Sequence, residues 1–135
     1  MLLGLNHITV TVTCLDESLI FYCDVLGFTL HAKWNSGAYL SCSDVWYCLS
    51  EGKPEPSEDY THIAFTIEES NFELMEERLQ QNKVNLWKEN SSEGLSMYIL
   101  DPNKHKLEIH VGNLQSRLES LKTMPYDGLV IYNTI

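Results

Sequence analysis

The chain has 135 residues, of which 44% are hydrophobic and 21% charged, the composition of one globular domain. Its formal net charge is −10, which excludes the broad basic surface that nucleic acid or an anionic membrane requires. No apolar run is long enough to span a bilayer, MLLGLNH carries no signal-peptide pattern, and Cys14, Cys23, Cys42 and Cys48 lack CxxC spacing, so the expectation is a cytoplasmic protein with reduced thiols.

The chain begins with NHITVTV (Asn6 to Val12), a strand with histidine second and strict alternation after it. Leu15 to Leu26 follows with a helical stripe of Leu15, Leu19, Tyr22 and Leu26, and Gly27 is placed to end it. FTLHAKW, AYLSCS and VWYCLS then read as three short strands. EGKPEPSED (residues 51–59), rich in proline and charge, reads as a linker. The pattern then restarts. THIAFTI (Thr61 to Ile67) again has histidine second, fifty-five positions after the first. Ser70 to Gln81 predicts a helix with Phe72, Met75 and Leu79 on one face and a capping box of Ser70 and Glu73. VNLWK, LSMYIL and KLEIHV predict three more strands. Asn113 to Lys122 predicts a last helix, with Leu114, Leu118 and Leu121 on one face.

The reading is therefore α+β, with two βαβββ modules (about residues 4–50 and 60–112) joined by the linker 51–59 and followed by a helix and tail, 113–135. One such module is too small to bury both faces of its sheet, so two must combine into a curved, cup-shaped mixed sheet.

Side chains alternate along a strand. Ile8, Val10 and Val12 must meet the helix, which turns His7, Thr9 and Thr11 into the cup. By the same rule Ile63, Phe65 and Ile67 oppose His62, Ala64 and Thr66. In KLEIHV, Leu107, Ile109 and Val111 pack outward, which aims Glu108 inward with Lys106 and His110 beside it. Two histidines and a carboxylate suit a divalent metal with positions left open for substrate. The repeat asks for a fourth ligand and sets Cys48 opposite Glu108, but Trp46 and Tyr47 crowd it, and three protein ligands are expected. KENSSEGLSMY (Lys88 to Tyr98) concentrates hydroxyls, an acid and a glycine in one turn, and oxygen-rich turns suit hard cations.

With GLNHITV, WNSGAYLS, VWYCLS, DYTHIAF, WKENSSEG, LDPN, HVG and SRL in view, the chain resembles the vicinal oxygen chelate superfamily, also called the glyoxalase–bleomycin resistance superfamily. Within it the chain closely resembles the FosA-type, fosfomycin-inactivating glutathione transferases, over nearly its whole length. The resemblance implies a cytoplasmic, domain-swapped homodimer that opens the epoxide of fosfomycin with glutathione, using Mn(II) and K⁺. It implies His7, His62 and Glu108 as metal ligands, with the histidine of the first module and the other two ligands coming from different subunits. It implies K⁺ at Asn90, Ser92, Glu93, Gly94 and Ser96, and phosphonate at Thr9, Lys88, Ser92, Ser96, Tyr98 and Arg117. Thr9 and Tyr39 are the implied catalytic side chains, Trp46 lines the pocket near the epoxide, and Trp34, Ser36, Tyr39 and Tyr60 are candidates for the glutathione channel. Two departures stand out. Ile63 replaces a tyrosine of the family pattern, and Ser91 an arginine, which reduces positive charge beside the loop.

Four other readings use related sites. Another thiol, or water activated by a carboxylate such as Asp44, would still modify fosfomycin. An Fe(II) extradiol dioxygenase uses the same ligand types, but has no use for Lys88, Ser96 and Arg117. A drug-sequestering protein needs no metal ligands, and glyoxalase chemistry wants four.

Overall fold

The computed structural model describes residues 1–90 and 94–132. Three residues of the expected cation loop and its surroundings, Ser91, Ser92 and Glu93, therefore lie outside the described residues.

The first unit runs β1 (His7–Val12), α1 (Leu15–Leu19), a π-helical turn (Ile20–Val25), β2 (Thr29–Trp34), β3 (Gly37–Cys42) and β4 (Val45–Glu51). The second runs β5 (Ile63–Thr66), a 3₁₀ turn (Glu69–Asn71), α2 (Phe72–Gln81), β6 (Leu86–Lys88), β7 (Ser96–Leu100) and β8 (Lys106–His110), and α3 (Leu114–Leu121) follows. Each unit forms its own four-stranded sheet, in the orders β1-β4-β3-β2 and β5-β8-β7-β6. The first strand of each is parallel to the last, and the remaining pairs are antiparallel. The two registers match position for position. Thr9 lies beside Cys48 as Ala64 lies beside Glu108.

Local chemistry explains the element ends. The first helix widens into a π turn after Leu19, and this register buries Phe21, Tyr22 and Val25. Gly27, at φ 87°, then takes the left-handed conformation that releases the chain into β2. The capping box expected at Ser70 and Glu73 is absent. The chain enters α2 through the 3₁₀ turn, and Asn71 occupies the cap without a side-chain bond. A reciprocal cap forms instead at α3, between Asn113 and Ser116. Leu114, in the first turn of α3, is 75% exposed rather than packed, and Leu121 alone of the expected stripe is buried.

The apolar faces of both sheets meet in one core. Val10, Val12, Leu40 and Leu49 of the first unit join Met97, Ile99, Leu107 and Ile109 of the second. Phe65 packs on Phe28 and Tyr47, with ring centroids at 5.3 and 5.9 Å. Through this core runs a hydroxyl relay. Tyr47 donates to the Tyr22 hydroxyl at 2.9 Å, and Tyr22 donates to Asp101 Oδ2 at 2.7 Å. The other oxygen of Asp101 accepts from the backbone N–H groups of Asn103 and His105 at 2.9 and 2.8 Å, folding the β7–β8 loop. That loop grips the first unit: His105 Nε2 donates to the Thr11 carbonyl at 2.7 Å, and Asn103 pairs with Thr13.

Ser18 on α1 is buried, and its hydroxyl has no partner among the described residues. A buried hydroxyl without a hydrogen bond is unfavourable, so Ser18→Ala is expected to raise the unfolding free energy by about 1 kcal/mol. Urea denaturation of the two proteins side by side checks this, and an unchanged or lower midpoint contradicts it.

Candidate metal and anion site

The polar face of the second sheet carries His62 at the mouth of β5, Glu108 and His110 on β8, and Ser96 and Tyr98 on β7. The segment leading into β5 is held tightly. Ser57 and the Thr61 N–H donate to Asp59, whose carboxyl is lowered to about 2 chiefly by the Ser57 bond. The Asp59 carbonyl accepts from Lys106 Nζ.

His62 is fixed by two contacts. Its Nδ1 lies 2.7 Å from the Tyr60 carbonyl, which only accepts, so the ring proton sits on Nδ1. Its Nε2 lies 2.9 Å from Glu108 Oε1. In the neutral ring that nitrogen presents a lone pair, so nitrogen and carboxylate lone pairs converge on one region and invite a cation. A histidine with one nitrogen on a backbone carbonyl and the other beside a carboxylate has the donor arrangement of a metal site. Glu108, buried at 8% exposure, also accepts at Oε2 from the Ser96 hydroxyl, at 2.8 Å.

His62 and Glu108 open onto a cavity of about 810 Å³ that is also lined by Tyr60, Lys88, Tyr98 and Arg117. Lys88 Nζ donates to the Tyr60 hydroxyl at 3.0 Å and lies over the rings of Tyr60 and Tyr98, at 4.9 and 4.7 Å. The Tyr60 bond is the main reason its ammonium is held above the ordinary lysine range. Arg117 Nη1 donates to the Tyr126 hydroxyl at 3.0 Å. Two cations and three phenols around one cavity can hold a small dianion.

His7 lies on the other sheet. Its Nδ1 is 2.6 Å from Asn6 Oδ1, and its ring packs on Trp46 at 4.3 Å. Like His62, it therefore has one ring nitrogen engaged by an oxygen. Among the described residues of one chain, no three His, Cys, Asp or Glu side chains gather closely enough to hold a metal. One chain thus brings together His62 and Glu108 but leaves His7 elsewhere. The convergence of all three in one cup, as strand alternation suggests, does not occur within a single chain. Thr9 shares His7's face, one step along β1 and beside Cys48, which is buried. Trp46, Tyr39 and Trp34 form an exposed row across that sheet, with edge-on contacts at 5.2 and 4.7 Å. Trp34 lies over Gly37, where an added Cβ would come within 2.6 Å of its ring. Ser36 is exposed in the β2–β3 turn, and its carbonyl accepts from the Glu51 N–H.

In the expected cation loop, Asn90 Nδ2 donates to the Gly94 carbonyl at 3.0 Å, and Gly94 takes a positive φ of 78°. Ser96 starts β7. Ser92 and Glu93 lie outside the described residues.

The structure adds two residues to the site. Tyr126, read from sequence as irregular tail, anchors Arg117. No periodicity marks it, because the pairing depends on the turn after α3. His110, read only as a neighbour of Glu108, contacts Ser96. Tyr60, a glutathione-channel candidate, accepts from Lys88 Nζ and lines the same cavity as His62 and Glu108.

The Glyoxalase/Bleomycin resistance protein/Dioxygenase superfamily model matches residues 4–109. Glutathione transferase FosA of Serratia marcescens is 50% identical over 135 residues, covering 96% of each chain. Metallothiol transferase FosB of Lysinibacillus sphaericus is 39% identical over 126 residues, covering 88% of this chain and 89% of that one. The crystal structure of the fosfomycin resistance protein FosX from Listeria monocytogenes, complexed with Mn(II) and sulfate, superposes with a TM-score of 0.82 at 28% identity, covering 89% of this chain and 98% of that one. The chain belongs to the glyoxalase/bleomycin resistance protein/dioxygenase superfamily and, within it, to the family of the FosA and FosB transferases.

Proposed function

We propose that this protein is a metal-dependent transferase that adds the thiol of glutathione to the epoxide of fosfomycin and so confers resistance to it. The observation that carries the reading is the pairing of His62 Nε2 with Glu108 Oε1 at 2.9 Å, on the wall of a cavity that also holds Lys88, Tyr98 and Arg117. A metal-ligand pair beside an anion cradle suits a substrate whose phosphonate and epoxide are close together. The similarity to glutathione transferase FosA supports the choice of thiol.

In this reading His7, His62 and Glu108 hold a divalent ion, Mn(II) by analogy with the FosX complex. The ion supplies Lewis acidity to the epoxide oxygen. Because His7 is remote from the other two in one chain, the site is completed in a homodimer, with His7 and Thr9 delivered by the second subunit. Lys88 and Arg117 neutralise the phosphonate, and Tyr98 donates its hydroxyl to it, holding the epoxide for in-line attack. Glutathione sulfur forms the new C–S bond as the ring C–O bond breaks, and the released oxygen takes a proton. Thr9 and Tyr39 border the path of the thiol, Trp46 lines the pocket near the epoxide, and Trp34, Ser36 and Tyr60 lie along the thiol's approach. Asn90, Ser92, Glu93, Gly94 and Ser96 would hold K⁺, whose charge would help to neutralise the phosphonate. Ser91, where the family pattern has arginine, predicts weaker affinity for the thiol.

A second reading, hydration of the epoxide, is raised by the likeness to FosX. It needs a carboxylate base, and Asp44 is exposed in the β3–β4 turn. Mass spectrometry of fosfomycin incubated with the protein, Mn(II), K⁺ and glutathione separates the two. The expected product is the glutathione adduct, abolished by EDTA and restored by Mn(II). A diol formed without thiol moves the assignment to hydration, and no product at all rejects both.

A further inference from the structure

Ser96 Oγ lies 2.8 Å from Glu108 Oε2 and 2.6 Å from His110 Nδ1, and His110 Nδ1 itself is 3.3 Å from that carboxylate oxygen. A serine hydroxyl has one proton. The carboxylate accepts it, because otherwise two lone pairs would oppose each other at 2.8 Å in a half-buried place. Ser96 must then accept from its other neighbour, which requires the His110 proton on Nδ1. The proximity of Nδ1 to Oε2 favours the same tautomer. The result is a directed chain from His110 to Ser96 to Glu108.

The imidazole is housed by two glycines. A Cβ at Gly112 would come within 3.3 Å of His110 Nε2, and one at Gly94 within 3.8 Å of Cε1. Both glycines have positive φ, at 123° and 78°. Gly94 belongs to the expected cation loop and Gly112 follows β8, so the ring links that loop to the metal-ligand strand.

The first unit is an internal control. At the positions equivalent to Ser96, Glu108 and His110 it has Gly37, Cys48 and Ser50, in the same register and the same sheet order. The fold is therefore built without the trio, which occurs only where a metal-ligating carboxylate is needed.

We infer that His110 is a positioning residue, which donates to Ser96 and so commits the serine proton to the anionic side of the site. Through Ser96 it holds Oε2 of Glu108 and leaves Oε1 for the metal and His62. This inference rests on the proposed metal role of Glu108.

The test uses the full-length protein and begins without metal. In ¹⁵N-imidazole NMR, the ring of His110 is expected to carry its proton on Nδ1, and Ser96→Ala is expected to change that ring's signals. A proton on Nε2, or indifference to Ser96→Ala, overturns the inference. Mn(II) titration followed by EPR is the second readout. His110→Leu is expected to weaken Mn(II) binding about tenfold to a hundredfold, the usual effect of losing a hydrogen-bond partner behind a ligand. His110→Asn, whose amide nitrogen replaces Nδ1, is expected to recover most of that loss. Equal affinity in wild type and His110→Leu refutes the inference, as does an Asn variant no better than Leu. If His110→Leu does not fold, the tautomer and the Asn variant decide. If the wild type binds no Mn(II), the proposed function fails, and the metal-free NMR still judges the hydrogen-bond chain separately.

Discussion

Co-expressing His7→Ala chains with Glu108→Ala chains is expected to restore activity that neither variant has alone. Under the proposed function each substitution removes one ligand of a metal that would supply several kcal/mol of charge stabilisation, so each homodimer should lose on the order of a thousandfold in rate. Among the described residues of one chain His7 does not gather with His62 and Glu108, and in the proposed dimer a second chain completes the set. A mixed dimer then contains one site with both lesions and one with none. With random pairing at equal expression, half of the dimers are mixed and each has one sound site of two, so about a quarter of wild-type activity should return. The measurement is the rate of adduct formation by the co-expressed preparation, and the mixed dimer purified from it through two different tags should keep about half of the wild-type rate. A mixed dimer as inactive as its parents would show that one chain builds the whole site.

The second large effect concerns the junction of the two units. Asp101→Ala is expected to destabilise the protein by about 3 kcal/mol or more, because it strips a charged acceptor from one buried phenol and two backbone N–H groups. Tyr22→Phe removes only the relay's middle hydroxyl and is expected to cost about 1–2 kcal/mol. The relay also sets a pH limit. Burial, followed by Tyr47 and Asp101, holds the Tyr22 phenol well above its ordinary value of 10.0. Burial likewise raises Tyr47. A phenol that binds its proton more tightly when folded contributes full stability below pH 10, and loses it as pH rises beyond that value. Thermal unfolding from pH 8 to 11.5 should therefore show a steep alkaline decline, and Tyr22→Phe should flatten it while lowering the plateau. An Asp101→Ala protein with wild-type stability, or an alkaline limb unchanged by Tyr22→Phe, would contradict the role given to the relay.

The same particulars separate what could be read in one dimension from what could not. Strand alternation sorts Val10 and Val12 from His7 and Thr9, and Leu107 and Ile109 from Glu108, because successive side chains on a strand must point to opposite faces. It does not show which polar faces share a cavity. That depends on how two sheets are set by Tyr22, Asp101 and His105, partners far apart in the chain. The π turn that buries Tyr22 has no signature in the helical stripe, and the Ser70–Glu73 box was locally reasonable but lost to the 3₁₀ entrance of α2. Tyr126 carries no sequence signal, because its partner is chosen by the turn after α3 rather than by a repeat.

The sequence by itself determined the two βαβββ units, their faces, and the residue types offered to a metal and an anion, because period and composition are local properties. Only the tertiary structure decided that His62 Nε2 and Glu108 Oε1 meet while His7 stands apart. It alone gave His110 and Ser96 a common direction toward Glu108. Those facts depend on lone pairs and protons brought within 3 Å across different strands, and no spacing along the chain encodes which of them will face each other.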